Sequence, residues 1–197
     1  MKVGLTGGIA CGKTVVRLRL EELGIPTLDA DGVVHRLLQA GTEVARQVAE
    51  AFGEKVIESG GAVDRKALGA LVFADEPSRR KLNAIVHPAV WREIEKFFEA
   101  RERASDAVAV VDAALMIETG SYRRYDFLVV VHCRPELQLE RLMARDDISR
   151  EDALRRIRAQ MPLEEKMRFA DFLVDTSGNL EETLKQADEL ASKLRAR

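Results

Sequence analysis

Five short apolar runs recur along the chain, separated by stretches in which apolar residues follow a helical period. Each run holds few polar residues, which is typical of strands buried on both faces of a parallel sheet. The runs cover residues 1–6, 25–28, 107–111, 127–132 and 172–175. Because helical stretches alternate with these runs, the pattern predicts an α/β fold with a five-stranded parallel sheet.

Residues 33–104 depart from this alternation and show helical periodicity almost throughout. Thr42 and Asp64 are expected N-caps, Ser78 is expected to start a helix, and Pro88 suits the first turn of another. The predicted helices cover residues 33–39, 43–52, 65–73, 79–86 and 89–103. A crossover between parallel strands needs only about a dozen residues. The segment is therefore predicted to be an inserted helical subdomain, serving either as a substrate clamp or as a packing decoration.

The helices of the remaining chain are expected directly after the apolar runs. They cover residues 15–23, 135–144, 150–159 and 180–194. Arg141 and Arg145 are four residues apart and share one helix face, and Arg155, Arg156 and Arg158 follow on the next helix. Such a hairpin could close over phosphates as a lid, because guanidinium groups bind phosphate oxygens bidentately. The alternative is a solvated surface hairpin whose arginines pair with its own acids.

The octapeptide from Gly7 to Thr14 fits the phosphate-loop pattern G-x-x-x-x-G-K-[ST] at every fixed position. It lies between a predicted strand and a predicted helix, which is the context that the pattern requires. The glycines allow backbone amides to point at a phosphate chain, Lys13 supplies a positive charge, and the Thr14 hydroxyl suits Mg²⁺. The residues expected to bind ATP here are Gly7, Gly8, Ile9, Ala10, Cys11, Gly12, Lys13, Thr14 and Val15.

Three carboxylates are expected at the carboxyl ends of the strands, where an open α/β sheet binds its ligands. Asp29 and Asp31 follow the second run, and Asp112 follows the third. One of the first two could accept a proton from an attacking hydroxyl, whereas Asp112 could hold Mg²⁺ as a Walker B residue does. The alternative is that these acids only cap helices or end strands.

Composition and charge narrow the class of protein further. The net charge of −2 argues against non-specific binding of nucleic acid, which needs a basic face. The sequence has no apolar run of membrane-spanning length and no signal-peptide pattern, and its two cysteines make no disulfide framework. We therefore expect a cytoplasmic protein without a membrane partner. Cys11 lies where a helix should begin, which predicts a lowered thiol pKa.

Taken together, these residues give the sequence a specific resemblance to the dephospho-coenzyme A kinase family along essentially the whole chain. The phosphate loop alone would indicate only a P-loop protein. The segments that narrow the resemblance are Asp29-Ala30-Asp31, Asp64-Arg65, Leu82-Asn83-Ala84-Ile85-Val86-His87-Pro88, Leu115-Met116-Ile117-Glu118, Gln138-Leu139-Glu140-Arg141, Arg145-Asp146, Gln160, Ala170-Asp171 and Asp175-Thr176-Ser177-Gly178.

The resemblance implies a P-loop three-layer fold in three parts. Residues 1–32, 105–140 and 168–197 would form the nucleotide-binding core, residues 33–104 a helical coenzyme-A-binding insertion, and residues 141–167 a helical lid. It also implies transfer of the ATP γ-phosphoryl group to the ribose 3′-hydroxyl of dephospho-coenzyme A, with Mg²⁺, as the last step of coenzyme A synthesis. A monomer or small homo-oligomer is expected, with ATP and dephospho-coenzyme A as small-molecule partners.

The resemblance also assigns expected roles to residues. Asp31 would orient or deprotonate the 3′-hydroxyl, and Arg145 would reach the phosphates from the lid. Ser177 and Gly178 follow the last strand, where the ATP base could rest. The residues expected to bind the acceptor are Asp31, Arg65, Asn83, His87 and Glu118, and those expected to hold Mg²⁺ are Thr14 and Asp112.

Two positions depart from the family pattern. Ala114 stands where the family usually has proline, and Ala10-Cys11 replaces a pair such as Gly-Ser within the phosphate loop.

Two other functions fit the same features: another P-loop kinase for a nucleotide or small molecule, or a P-loop switch that signals through partners. The helical insertion and the arginine-rich hairpin favour a kinase with a bulky acceptor.

Overall fold

The computed structural model of the protein describes residues 1–104 and 106–196. Strands and helices alternate at both ends of the chain, and helices fill the middle. The strands are β1 (Lys2–Gly7), β2 (Thr27–Asp29), β3 (Ala109–Asp112), β4 (Phe127–His132) and β5 (Phe172–Asp175). The helices are α1 (Lys13–Glu22), α2 (Ala30–Leu37), α3 (Glu43–Phe52), α4 (Arg65–Ala74), α5 (Glu76–Arg103), α6 (Pro135–Asp146), α7 (Arg150–Arg158), α8 (Leu163–Met167) and α9 (Leu180–Arg195).

The strands form one five-stranded sheet in the order β2-β3-β1-β4-β5, with every neighbouring pair parallel. This confirms the predicted α/β fold and its sheet. Because β1 lies at the centre between β3 and β4, the carboxyl ends of these strands meet at one edge. Gly7, Asp112 and His132 are the last residues of the three central strands.

Both faces of the sheet are covered, as the continuous apolar runs predict. On one face, Val16 and Leu20 of α1 and Leu190 of α9 pack in one cluster with the strand residues Val3 and Val129. On the other face, a second cluster centres on residues of β4 and of the segment after β3, with α8 at its margin. Its buried members are Met116, Ile117, Leu128 and Val130.

The chain divides into two compact units, Met1–Asp29 with Phe98–Arg197, and Ala30–Phe97. The second unit is helical and has an apolar core of its own. The buried members of this core are Leu38, Val44, Ala45, Val48, Val56, Val63, Leu68, Val86 and Ala89. The boundaries predicted from the family, at residues 33–104 for the insertion and 141–167 for the lid, stay predictions.

The prediction of a helix break before Pro88 is wrong. Helix α5 continues through Pro88 from Glu76 to Arg103. Val86 and Ala89 flank the proline, and both are buried in the core of the helical unit. We attribute the continuity to this packing, which offsets the backbone hydrogen bond that a proline removes.

Three further segments differ from the sequence-based expectation. A short 3-10 helix at Glu54–Val56 and an antiparallel bridge between Ile57 and Val63 interrupt the stretch expected to be helical. Helix α8 was not expected, and α2 begins at Ala30 rather than at residue 33. None of the helices within residues 1–104 and 106–196 is long and apolar enough to cross a membrane.

Candidate active site

The phosphate loop connects the central strand β1 to helix α1. Gly12 has a φ of 80°, a left-handed conformation that favours glycine, and Ala10 has a φ of 59°. A Cβ atom on Gly7 would lie 2.3 Å from the carbonyl oxygen of Val131, so only glycine fits there. The loop turns tightly, since the Cys11 amide donates to the carbonyl of Gly8 at 3.2 Å. The loop thus presents amides at a helix N-terminus, which is an anion-binding arrangement.

Lys13 and Asp112 form an ion pair at the edge of the sheet, with Nζ and Oδ1 3.1 Å apart. Asp112 is only 5% exposed, and Arg17 lies 3.7 Å from its second oxygen. Asp29 is the register partner of Asp112 on the neighbouring strand β2. Two carboxylates and two cations therefore meet beside the phosphate loop. An incoming phosphate would compete with Asp112 for Lys13.

Thr14 and Asp112 offer oxygen ligands, which suit Mg²⁺. Thr14 is exposed in the first turn of α1, whereas Asp112 is buried at the end of β3. Within residues 1–104 and 106–196, no group of three or more His, Cys, Asp or Glu side chains could hold a metal ion. A small set of protein oxygens fits Mg²⁺ that arrives with ATP, because this ion keeps water and phosphate ligands.

Two glutamines clamp the peptide groups of Ile9 within the loop. The Ile9 amide donates to Oε1 of Gln160 at 2.9 Å, and Nε2 of Gln138 donates to the Ile9 carbonyl at 2.9 Å. Gln138 lies on α6 and Gln160 follows α7. The loop is therefore tied to both ends of the arginine-rich hairpin. Both glutamines belong to the segments that carry the family resemblance, but the sequence did not predict that they clamp Ile9.

Lys166 is fully buried behind the loop and organises a second set of contacts. Its Nζ lies 2.7 Å from Oε1 of Glu118 and donates to the carbonyls of Ala114 at 3.1 Å and Gly7 at 3.4 Å. The Glu118 carboxylate also accepts from the Met161 amide at 3.1 Å. Glu118 is therefore engaged by the protein itself, and its expected contact with the acceptor stays a prediction. No sequence motif indicated Lys166, because it stands in a mostly charged stretch between Glu164 and Arg168.

A cleft of about 310 Å³ opens beside the first turn of α1 and reaches the N-terminus of α9. Its lining residues are Gly12, Val15, Arg141, Thr176, Gly178, Asn179, Leu180 and Thr183. Arg141 donates to the side chain of Thr176 at 3.0 Å and to its carbonyl at 2.8 Å. Ser177 instead accepts from the Arg134 amide at 2.8 Å. The cleft is large enough for a planar base next to the phosphate loop.

The arginine hairpin is built by α6 and α7, with Ser149 capping α7 through the Asp152 amide at 3.1 Å. Arg145 and Arg156 both pair with Asp146, at 2.7 and 2.6 Å. The hydrogen bond from Arg145 lowers the pKa of the Asp146 carboxyl. The Arg145 side chain is 55% exposed. Contact between Arg145 and phosphate therefore requires the guanidinium to exchange Asp146 for a phosphate oxygen.

The predicted acceptor-binding residues of the helical unit lie on its surface. Nη1 of Arg65 lies 2.8 Å from Nδ1 of His35, and both side chains are exposed. Asn83 and His87 are exposed on α5 and share one face of it, since they are four residues apart. Asp31 is exposed in the first turn of α2, two residues after Asp29 ends β2. Their roles stay predictions.

The lowered pKa predicted for Cys11 is wrong. Its sulfur lies 3.4 Å from that of Cys133. The hydrogen bond with Cys133, together with burial, raises the pKa of the Cys11 thiol, whereas the same hydrogen bond and the charge of Arg141 lower the pKa of Cys133 to about 7. The sequence could not show that a second thiol meets the loop from β4.

A glycine-rich loop between the central strand of a parallel sheet and a helix, with a paired lysine and strand-end aspartate, defines a P-loop nucleotide-binding protein. Residues 1–182 match the family model described as Dephospho-CoA kinase. The chain therefore belongs to the dephospho-CoA kinase family.

Individual relatives agree with this assignment. The chain is 40% identical to the dephospho-CoA kinase of Aquifex aeolicus over 193 residues, covering 98% of this chain and 97% of that protein. It is 42% identical to the dephospho-CoA kinase of Geobacter sulfurreducens over 191 residues, covering 97% of each. A solved structure from Thermus thermophilus superposes with a TM-score of 0.86 at 34% identity, covering 98% of this chain and 96% of that one.

Proposed function

We propose that the protein transfers the γ-phosphoryl group of ATP to the ribose 3′-hydroxyl of dephospho-coenzyme A, giving coenzyme A and ADP. The observation that carries the proposal is the family match over residues 1–182, in a chain whose phosphate loop has the required geometry. The reaction would take place in the cytoplasm, with the protein as a monomer or small homo-oligomer.

In the proposed mechanism, the phosphoryl group passes directly from ATP to the acceptor hydroxyl. The loop amides and Lys13 hold the β- and γ-phosphate oxygens, so the chemistry depends on positioning and charge stabilisation. Thr14 and Asp112 would hold Mg²⁺, which neutralises phosphate charge when bound. The 3.1 Å pairing of Lys13 with Asp112 supports this assignment, because it keeps both groups beside the loop.

On the acceptor side, we propose that Asp31 orients the 3′-hydroxyl and accepts its proton. Its place in the chain, two residues beyond the end of β2, supports this role. Arg65, Asn83 and His87 would bind the rest of the acceptor, with Glu118 as a further contact. The exposure of the first three leaves their polar groups accessible to a ligand.

We further propose that the ATP base occupies the cleft beside Gly178, with Ser177 next to it. Arg145 would move onto the transferring phosphate when the hairpin closes, which would also exclude water. The position of Arg145 in the last turn of α6 supports such a movement, because its side chain is 55% exposed and is released when it gives up its ion pair with Asp146.

The experiment is a coupled assay of ADP release with three arms: dephospho-coenzyme A, adenosine monophosphate, and no acceptor. The proposal predicts rapid ADP release only with dephospho-coenzyme A, and a mass gain of one phosphoryl group on that acceptor. Faster release with adenosine monophosphate would indicate a nucleotide kinase. Slow release that no acceptor stimulates would favour a nucleotide switch.

A further inference from the structure

The two cysteines of the chain meet inside the nucleotide-binding core. Cys11 belongs to the phosphate loop, and Cys133 directly follows β4. Their sulfur atoms lie 3.4 Å apart, and both are free thiols. Cys11 is 0% exposed and Cys133 is 4% exposed. A thiol pair at this separation needs only about 1.4 Å of closure to reach the sulfur–sulfur distance of a disulfide.

The surrounding contacts keep the two thiols facing each other. The Cys11 carbonyl accepts from Oγ1 of Thr176 at 2.9 Å, and its amide donates to Gly8 at 3.2 Å. Cys133 is anchored by the buried strand that precedes it. Neither backbone segment must be unfolded for the sulfur atoms to meet, because the approach can be divided between two side chains and a short loop.

The pair has both a nucleophile and an entry path. Hydrogen bonding with Cys11 and the charge of Arg141 lower the pKa of Cys133 to about 7, which favours the thiolate as the nucleophile. Thr176, whose hydroxyl donates to the Cys11 carbonyl at 2.9 Å, lines the 310 Å³ cleft together with Gly12, the residue after Cys11. A molecule as small as a peroxide that enters this cleft therefore comes within one residue of the thiol pair, at Gly12.

We propose that Cys11 and Cys133 are a site of reversible oxidation by hydroperoxides, and that the disulfide between them prevents nucleotide binding. The second part rests on the proposed function, since it requires the phosphate loop to bind ATP. The pairing itself depends only on the geometry of the two thiols.

The reaction takes place in two balanced steps. The Cys133 thiolate attacks one oxygen of hydrogen peroxide, the O–O bond breaks, and the departing hydroxide takes up a proton to become water, leaving a sulfenic acid. The Cys11 sulfur then attacks the sulfenic sulfur, the S–O bond breaks, and the hydroxide leaves as water with the Cys11 proton. In sum, two thiols and one peroxide give one disulfide and two molecules of water.

The disulfide would displace the loop at the point where it binds phosphate. Cys11 immediately precedes Gly12 and Lys13, whose amides begin α1. Movement of the Cys11 side chain toward β4 draws this backbone with it, and a misplacement of about 1 Å in such a site costs up to about 10²-fold in activity. We expect nucleotide affinity to fall at least about tenfold on oxidation and to recover on reduction.

The test uses the full chain treated with hydrogen peroxide, followed by catalase to remove the excess. Free thiols are counted under denaturing conditions, intact mass is measured, and binding of a fluorescent ATP analogue is titrated before and after dithiothreitol. Binding is the readout because dephospho-coenzyme A carries a thiol that would reduce the disulfide during turnover. Cys133→Ser is the matched variant, with Cys133→Ala as a second one should the first fail to fold.

The proposal predicts that oxidation removes both thiols with the loss of two hydrogens in mass, that affinity falls, and that dithiothreitol restores it. The Cys133 variants should bind nucleotide and keep this affinity after peroxide. Persistence of two thiols, a mass gain of added oxygen without a disulfide, or equal inactivation of the variants would each overturn it. Reduced protein that binds no nucleotide would overturn the proposed function and the regulatory part together, whereas the thiol count alone decides whether the disulfide forms.

Discussion

The residues that fix the phosphate loop are buried, whereas the candidate binding residues of the helical unit are exposed. Around the loop, the side chains that fix its backbone are buried, with Lys166 0% and Gln138 6% exposed. In the helical unit, Arg65, Asn83 and His87 are exposed, and the partner of Arg65 is a histidine that is itself exposed.

The difference follows from what each region is proposed to bind. A triphosphate gains most from donors fixed in advance, because they need no reorganisation when charge develops. A large acceptor is bound by many separate contacts, each of which contributes little. Substitutions at the phosphate end should therefore change turnover and folding, whereas substitutions in the helical unit should change the KM for the acceptor.

Replacing Arg145 tests whether an exposed residue can contribute as much to turnover as the buried residues around the phosphate loop. Arg145→Ala should lower kcat by about 10³–10⁵, the range in which arginine fingers act on phosphoryl transfer. Arg156→Ala is the control, because Arg156 pairs with the same Asp146 at 2.6 Å. Steady-state kinetics of both variants show whether Arg145 acts on phosphoryl transfer or only pairs with Asp146. An effect confined to KM, or an equal loss in both variants, would remove Arg145 from the chemistry.

Replacing Asp31 tests the proposed general base. Asp31→Asn should lower kcat by about 10²–10⁴, because a general base is lost, while ATP affinity stays unchanged. Asp29→Asn is the matched change, since it neutralises an acid two residues earlier that ends β2. Turnover and ATP binding are measured for each. Near-normal turnover of Asp31→Asn, with the loss found in Asp29→Asn instead, would transfer the role to Asp29.

Lys13 tests the charge at the phosphate loop itself. Lys13→Met should lower kcat/KM for ATP by about 10²–10³, the loss typical of one preorganised donor. Arg17→Met removes the other cation beside Asp112, which lies 3.7 Å from that carboxylate. Both variants are compared by steady-state kinetics. If they lose the same activity, the effect arises from the changed charge around Asp112 rather than from the phosphate.

Lys166 tests whether the buried contacts also stabilise the fold. Lys166→Met should lower the free energy of unfolding by about 1–3 kcal/mol or more, because Glu118 and two carbonyls lose a buried partner. Lys96→Met is a surface control, since Lys96 is 69% exposed and its change should stay within about 0.5 kcal/mol. Urea unfolding measures each. Adding Glu118→Gln to Lys166→Met should recover part of the loss, and a neutral Lys166→Met would show that the ion pair adds no stability.

How much the sequence predicts differs between these regions for a physical reason. The strands at Phe127–His132 and Phe172–Asp175 are confirmed at both ends, because short apolar runs are determined locally. This holds although only the first is largely buried, whereas the second exposes Leu173 and Asp175 at the sheet edge. The phosphate loop is equally local, since its glycines and lysine are contiguous. In contrast, Lys166, Gln138 and the Cys133 thiol reach the loop from distant elements, and no local pattern reports such contacts. The continuity of helix α5 through Pro88 could not be predicted from local sequence either, because it depends on packing against residues that are distant in the chain.

Arg65 provides the smallest and most specific test of the helical unit. Arg65→Gln should raise the KM for dephospho-coenzyme A by about tenfold, the value of one charge-assisted hydrogen bond, while kcat and the KM for ATP stay unchanged. Arg46→Gln is the matched control, because Arg46 is an exposed arginine of the same unit that pairs with Glu43 at 2.6 Å. Initial rates are measured with each substrate varied in turn. A loss of kcat in Arg65→Gln would mean that this residue positions the reacting hydroxyl, and the contrast between a fixed phosphate end and an adaptable acceptor end would no longer hold.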